Sequence, residues 1–147
     1  MRVILASITA LLLASGGAVA DDGAALFAKN CLMCHQSGAA GLPGQFPRLA
    51  GRVGPLAGKP EGRAYLIDVL TYGMAGSITV DQQPIIGVMP SFQLLSDEDV
   101  AALLTYLRDL GGPEGSAFSA GEVAEGRAKP HKSPSEVLRE RKALALQ

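Results

Sequence analysis

Both cysteines of the 147-residue chain and one of its two histidines lie within a single short stretch. They are Cys31, Cys34 and His35, so that two thiols are followed at once by an imidazole. If the thiols lie on one helical turn, each can form a thioether to a porphyrin vinyl group, and the next residue then points under the iron. The spacing therefore predicts one covalently attached haem c, held by Cys31 and Cys34, with His35 as an axial iron ligand.

Other uses of this stretch are less favoured. A zinc site would need a fourth protein ligand, and the other histidine, His131, lies far away in the C-terminal part of the chain. A thioredoxin-like thiol pair would require alternating strands and helices around it, and the sequence shows no such alternation. A disulfide between Cys31 and Cys34 stays open as an alternative, but the loop it would close is too small to stabilise a fold much.

An iron that only exchanges electrons needs a second axial ligand, and a methionine thioether is the usual partner of histidine because it favours the ferrous state. Met89 is followed by Pro90, which restrains Met89 to an extended backbone. Met74 follows Gly73 at the end of a predicted helix, where packing or contact with the haem edge is expected. Met89 is therefore the predicted ligand, with Met74 as the main alternative and His131 as a remote one.

The elements that must position these residues are mostly helical. Residues 21–30, 61–73 and 96–112 have apolar residues at helical spacing. Residues 36–51 are rich in glycine and proline and predict a loop that covers one haem face. Tyr65 and Tyr72 are expected in the core, with hydroxyls that could reach a haem propionate. Because tryptophan and strongly alternating β-branched runs are absent, the expected fold is all-α with long loops.

The N-terminus has the pattern of a secretory signal over residues 1–20. Arg2 precedes an apolar run, and Ala18 and Ala20 form a small-residue cleavage site. Export would place the chain in the periplasm or outside the cell, with no membrane span after cleavage. An uncleaved membrane anchor remains an alternative, since the uncharged run is marginally long enough to cross a bilayer.

Composition limits the domain count and the partners. Removal of the predicted signal leaves 127 residues, which suits one domain. It also leaves 12 basic and 14 acidic side chains, a formal charge of −2. No lysine-rich face is evident around the cysteines. Nucleic acid is therefore not an expected partner.

Residues 22–112 resemble the class I c-type cytochromes. Gly23 and Phe27 are four residues apart, and Cys31 follows after four more, as in the N-terminal helix of that family. In the family, this glycine lets the helix cross closely over the C-terminal helix, which offers an aromatic residue that matches Tyr106 here. The stretch from Met89 to Phe92 is similar to the family's Met-Pro-x-Phe ligand loop.

The resemblance implies further roles. The Pro47 carbonyl would accept a hydrogen bond from Nδ1–H of His35, and Leu49, in the same Pro-x-Leu-x-Gly stretch, would help to cover the haem. Pro47 could instead only stiffen the loop. The implied fold is the cytochrome c fold, with helices packed around one haem, as the domain of residues 21–112.

The implied function is electron transfer through the exposed porphyrin edge, without a catalytic side chain. Because the loops resemble those of cytochrome subunits of periplasmic dehydrogenases, a dehydrogenase donor and an oxidase-side acceptor are implied. The alternative is a haem protein with an open sixth site, such as a peroxidase or gas sensor, which would need Met89 to be absent from the iron. A secreted structural domain with a disulfide is a third possibility.

Residues 113–147 extend beyond the family resemblance. A short helix is predicted over residues 119–127, and a second begins after Ser133 with Pro134 at its first position and Glu136 at its third. This extension is either partly disordered on the domain surface or a docking element for a partner enzyme. Its deletion is expected to leave haem binding intact.

Overall fold

The structure is a computed structural model that describes residues 18–146, with side chains from Asp22 onward. The predicted signal sequence therefore lies almost wholly outside the described residues. Within residues 18–146, no helix combines the length and the apolar character needed to cross a membrane.

Seven helices, one 3₁₀ turn and two strands are present in this part of the chain. In chain order they are α1 (Ala18–Asn30), α2 (Leu32–His35), the 3₁₀ turn (Ser37–Ala39), α3 (Val53–Ala57), α4 (Pro60–Tyr72), β1 (Met74–Val80), β2 (Gln83–Met89), α5 (Asp97–Asp109), α6 (Ala120–Arg127) and α7 (Pro134–Ala143). The three helices expected before residue 113 are thus found as α1, α4 and α5.

Helix α5 is central to the core. Ser96 caps it, because the side chain accepts a hydrogen bond of 3.1 Å from the Asp99 amide, and three acidic residues occupy its first turn. Its buried face includes Val100, Leu103 and Leu104, which have almost no exposed surface. Helices α1, α3 and α6 pack around this face.

Helices α1 and α5 cross closely at Gly23. A Cβ atom there would lie 2.5 Å from the carbonyl oxygen of Ala102 and 2.6 Å from Cβ of Tyr106. Four residues further along α1, the ring of Phe27 contacts the ring of Tyr106, with centroids 5.7 Å apart. This is the glycine–aromatic crossing that the family resemblance implied.

The expectation of a purely α-helical fold is wrong in one respect. Strands β1 and β2 form an antiparallel hairpin, in which Met74 pairs with Met89 and Val80 pairs with Gln83. The turn consists of Asp81 and Gln82, with φ of 50° and 64°. Val80 is buried on the inner face of the hairpin, and the extended backbone predicted at Met89 is the end of β2.

The extension after Gly112 packs onto the rest of the protein through α6 and α7. Val123 of α6 and Val137 of α7 have no exposed surface, and Phe118 is 5% exposed. All three side chains belong to the main hydrophobic core. The expected capping of α7 by Ser133 is present as a capping box. Residues 113–146 therefore contribute to the same core as the helices that precede them.

Candidate haem site

Cys31, Cys34 and His35 come together at the junction of α1 and α2. Cys31 immediately precedes α2, and its carbonyl oxygen accepts hydrogen bonds from the amides of Cys34 (3.2 Å) and His35 (2.9 Å). One turn of backbone thus holds the two thiols and the imidazole at the same place. Both cysteines are free thiols; Cys31 is buried and Cys34 is half-buried.

Burial controls the protonation of these groups. The pKa of Cys31 is raised to about 11, mainly by burial and to a smaller extent by the neighbouring Cys34, so this thiol is protonated at neutral pH. The pKa of His35 is lowered by burial, although its hydrogen bond to Pro47 opposes this. His35 is therefore a neutral imidazole at pH 7, with a lone pair for a metal ion.

A single hydrogen bond sets which nitrogen of His35 carries the proton. Nδ1–H donates to the carbonyl oxygen of Pro47 at 2.9 Å. Since a carbonyl oxygen can only accept, the proton lies on Nδ1 and the lone pair lies on Nε2. This is the position that the resemblance implied for Pro47.

The loop after His35 folds back to hold Pro47 in place. The amide of Gly41 donates to the carbonyl of His35 at 2.8 Å, and Leu42 and Phe46 form an isolated antiparallel bridge. Gly41 has φ of 70°, and a Cβ atom there would lie 2.6 Å from the carbonyl oxygen of Phe46. Only glycine fits this turn, which directs the following chain towards the imidazole.

The hairpin brings two methionines to the same site. Met74 and Met89 are directly opposite each other at the open end of the hairpin, and both are half-buried. Opposite residues of an antiparallel pair project from the same face of the sheet. The hydroxyl of Tyr65 donates to the sulfur of Met74 at 3.8 Å. The two candidate thioethers therefore differ in their surroundings.

The chain after Met89 is anchored to α4. Ser91 Oγ donates to the carbonyl of Thr71 at 2.6 Å, and the Phe92 amide donates to the carbonyl of Leu70 at 2.8 Å. A hydrogen-bonded segment on either side of Met89 leaves this residue little backbone freedom.

These elements line one cleft. Every residue predicted for the site lies along its wall, as does Met74. The lining residues include Cys31, Cys34, His35, Phe46, Pro47, Leu49, Leu70, Met74, Ile78, Ile85, Val88, Met89, Phe92 and Leu107. His131 lies elsewhere: its ring packs edge-on against Tyr72, with centroids 4.8 Å apart.

A second cavity adjoins the cleft. It shares His35 and Met89 with the cleft and is also lined by Arg52, Tyr65 and Arg141. The sequence indicates that the hydroxyl of Tyr65 or Tyr72 could reach a propionate, but it gives no sign that an arginine of the C-terminal extension lines this cavity.

The arrangement fits a haem. Apolar walls suit a porphyrin, and the two thiols, a neutral imidazole with its lone pair on Nε2 and two methionines all line the same cleft. Within the described part of the chain, no group of three or more His, Cys, Asp and Glu side chains could hold a bare metal ion.

Comparison with known proteins agrees with this geometry. Residues 18–107 match the family described as cytochrome c oxidase, cbb3-type, subunit III. A protein of Thermus thermophilus named cytochrome c-552 is 43% identical over 146 residues, covering 95% of this chain and 97% of the relative. The chain belongs to the class I c-type cytochromes.

A second cytochrome c-552 of Thermus thermophilus is 44% identical over 130 residues, covering 85% of this chain and 98% of the relative. The cytochrome is a haem electron-transfer protein and carries haem c, with its iron, covalently bound. The predictions of the cofactor and of electron transfer are thus confirmed. The family match ends at residue 107, whereas the alignment with the first relative spans nearly the whole chain and so includes most of the extension.

Proposed function

We propose that the cytochrome carries one electron on a haem attached through Cys31 and Cys34, with His35 and Met89 as the axial iron ligands. The observation that carries this proposal is the meeting of all four side chains in one apolar cleft. When bound, the haem supplies the Fe(III)/Fe(II) couple. The protein attaches the macrocycle, fills the axial positions and keeps water away from the iron.

His35 acts as a pre-oriented ligand. The bond from Nδ1–H to the Pro47 carbonyl fixes the ring and makes Nε2 a stronger donor. Because burial lowers the pKa of His35, protons compete weakly with the iron for Nε2.

Met89 is the proposed sixth ligand, and Met74 its neighbour in the cleft. The sulfur of Met74 already accepts a hydrogen bond from Tyr65, which favours a packing role. Met89 lies at the end of β2, where the next residues are bonded to α4 and hold the backbone in place. A ligand that does not change with oxidation state keeps the reorganisation energy of electron transfer small.

Electrons would enter and leave at the mouth of the cleft without any acid, base or nucleophile. Exposed apolar side chains lie on the elements around it: Met33 is 88% exposed, Ile86 83% and Val88 75%. We propose a periplasmic or secreted carrier between a dehydrogenase and an oxidase-side acceptor. The description of the matched family as a cytochrome c oxidase subunit supports the acceptor.

Attachment can be tested by expressing the protein with a haem c maturation system. The wild type should retain haem on a denaturing gel stained for haem, and the Cys31→Ala/Cys34→Ala double variant should lose it. Met33→Ala is the control, because this exposed residue lies between the cysteines and should not affect the stain. A wild type without covalent haem, or a double variant that keeps it, would contradict the proposal.

An open sixth site is the competing arrangement. It predicts that carbon monoxide binds the reduced wild type rapidly at neutral pH, whereas an iron with two protein ligands should resist it. Apart from His35, the described lining of the cleft offers no histidine to assist peroxidase chemistry.

A further inference from the structure

The cavity that adjoins the cleft is lined by positively charged side chains that the proposed function does not use. Arg52 follows the covering loop, and Arg141 belongs to α7 in the C-terminal extension. Both side chains line the same space as His35 and Met89. Two guanidinium groups converge here from segments far apart in the chain.

Arg141 is buried in an unusual setting. The residue is only 8% exposed, and no carboxylate of the described residues forms an ion pair with it. Nη2 donates to the carbonyl of Thr79 at 3.3 Å, and the guanidinium lies beside the hydroxyl of Tyr65. A buried cation is costly unless an anion accompanies it.

Arg52 adds charge of the same sign to this cavity. Its guanidinium reaches Asp81 at 3.3 Å, but Asp81 is also bound by Arg48 through two hydrogen bonds of 2.9 and 3.0 Å. Arg141 is close enough to Arg52 to repel it. Like charges that face one cavity favour an anionic ligand between them.

The cofactor itself has anionic groups of the required chemistry. A haem carries two propionate carboxylates, and a guanidinium binds a carboxylate with two parallel hydrogen bonds. We propose that Arg141, with Arg52 beside it, binds a haem propionate in the adjoining cavity, so that the C-terminal extension forms part of the haem site and raises the reduction potential. This inference rests on the proposed function, because a haem must occupy the cleft.

The direction of the effect follows from charge. A cation near the iron disfavours the more positive ferric state and therefore raises the potential. It also stabilises the ionised carboxylate and lowers the propionate pKa. Loss of the Arg141 charge should lower the reduction potential. It should also raise the propionate pKa, so that the pH-dependent change in potential occurs at a higher pH.

The test is spectroelectrochemical titration of the holoprotein across pH, comparing Arg141→Gln, Arg141→Lys and Arg139→Gln with the wild type. Arg139 lies on the same helix, its side chain is 68% exposed, and among the described residues its ion-pair partner is Glu136, so its variant should match the wild type. Arg141→Gln should have a lower potential and an upward shift of the pH profile, and Arg141→Lys should lie between. Retention of the wild-type far-red band and helical circular dichroism would show that the variants fold alike.

An unchanged potential and pH profile in Arg141→Gln, in a protein that keeps covalent haem and both axial ligands, would overturn the inference and leave the proposed function standing. The same holds if Arg141→Lys and Arg141→Gln shift together, because that points to packing rather than charge. A wild type that fails to attach haem would overturn both.

Discussion

At the scale of single residues, Lys132 holds the extension against the domain. Its ammonium group donates to Asp68 Oδ2 at 2.7 Å and also contacts the carboxylate of Glu140 on α7. The side chain of Asp68 is only 5% exposed. Burial raises the pKa of Asp68, and the hydrogen bond from Lys132 opposes this rise. Removal of Lys132 would leave a buried carboxylate without its counter-charge.

We therefore expect Lys132→Met to lower the free energy of unfolding by about 2 kcal/mol at neutral pH. Because a raised carboxyl pKa stabilises the folded state only at low pH, the loss should shrink as the pH falls towards the ordinary Asp value of 3.8. Chemical denaturation of the holoprotein at several pH values measures this difference.

Lys142→Met is the matched control, since Lys142 is an exposed lysine of α7. The double variant Asp68→Asn/Lys132→Met should recover most of the lost stability. Equal losses in the two lysine variants, or a loss that grows with acidity, would contradict this account of the ion pair.

Also at the residue scale, the sequence predicted site residues best where the chemistry requires certain residue types at a fixed sequence spacing. Covalent haem attachment requires two thiols and an imidazole at fixed spacing, so Cys31, Cys34 and His35 could be singled out at once. Arg141 could not, because its sequence neighbours are charged and only tertiary packing buries it. Met89 and Met74 remained competitors, since their pairing across a hairpin was not foreseen.

At the scale of elements, the crossing of α1 over α5 depends on Gly23. Gly23→Ala would place Cβ 2.5 Å from the Ala102 carbonyl oxygen, a backbone atom that cannot move aside cheaply. We expect a loss of about 2 kcal/mol in unfolding free energy, measured by denaturant titration.

Gly121→Ala provides the control for this substitution. Gly121 also lies in a helix, but its nearest atom would be 3.9 Å from the added Cβ. Alanine there should be neutral or stabilising by up to about 1 kcal/mol, because it favours the helix. If both alanine variants were equally stable, the close crossing would not be what requires glycine at position 23.

The hairpin shows why one element was missed. Its turn residues, Asp81 and Gln82, adopt positive φ without glycine, so the usual sequence signal of a tight turn is absent. In β2, Ile85 and Ile86 are adjacent and Gly87 follows, which obscures the alternation of a half-buried strand. The helices, in contrast, carry caps and apolar spacing that can be recognised locally.

At the scale of the whole molecule, the extension completes the core and one wall of the cavity that adjoins the cleft. Helix α7 lies over β1, where a Cβ atom at Gly76 would be 2.5 Å from Cδ2 of Leu138. The weak amphipathic pattern of residues 134–146 gave little sign of this packing, because few side chains of α7 make it. Val137 is the only fully buried apolar side chain in α7.

Deletion of residues 113–147 should leave covalent haem attachment intact but lower the stability of the fold. All four proposed attachment and ligand residues precede the deletion, so covalent haem should remain. The loss of Phe118, Val123 and Val137 from the core should cost at least about 4 kcal/mol and lower the thermal midpoint by about 10 °C or more. Haem staining and thermal melts of the truncated and full-length proteins measure both effects. Absence of haem from the truncated protein alone would show that the domain does not end at residue 112.

The most direct test of the central claim is the absorption spectrum of the oxidised holoprotein beside those of Met89→Ala and Met74→Ala. A thioether on ferric haem gives a weak far-red band. With His35 and Met89 as ligands, the band should appear in the wild type and in Met74→Ala and vanish in Met89→Ala, while haem stays attached in all three. A band that vanishes in Met74→Ala and persists in Met89→Ala would assign the other methionine, and a wild type without the band would contradict methionine ligation altogether.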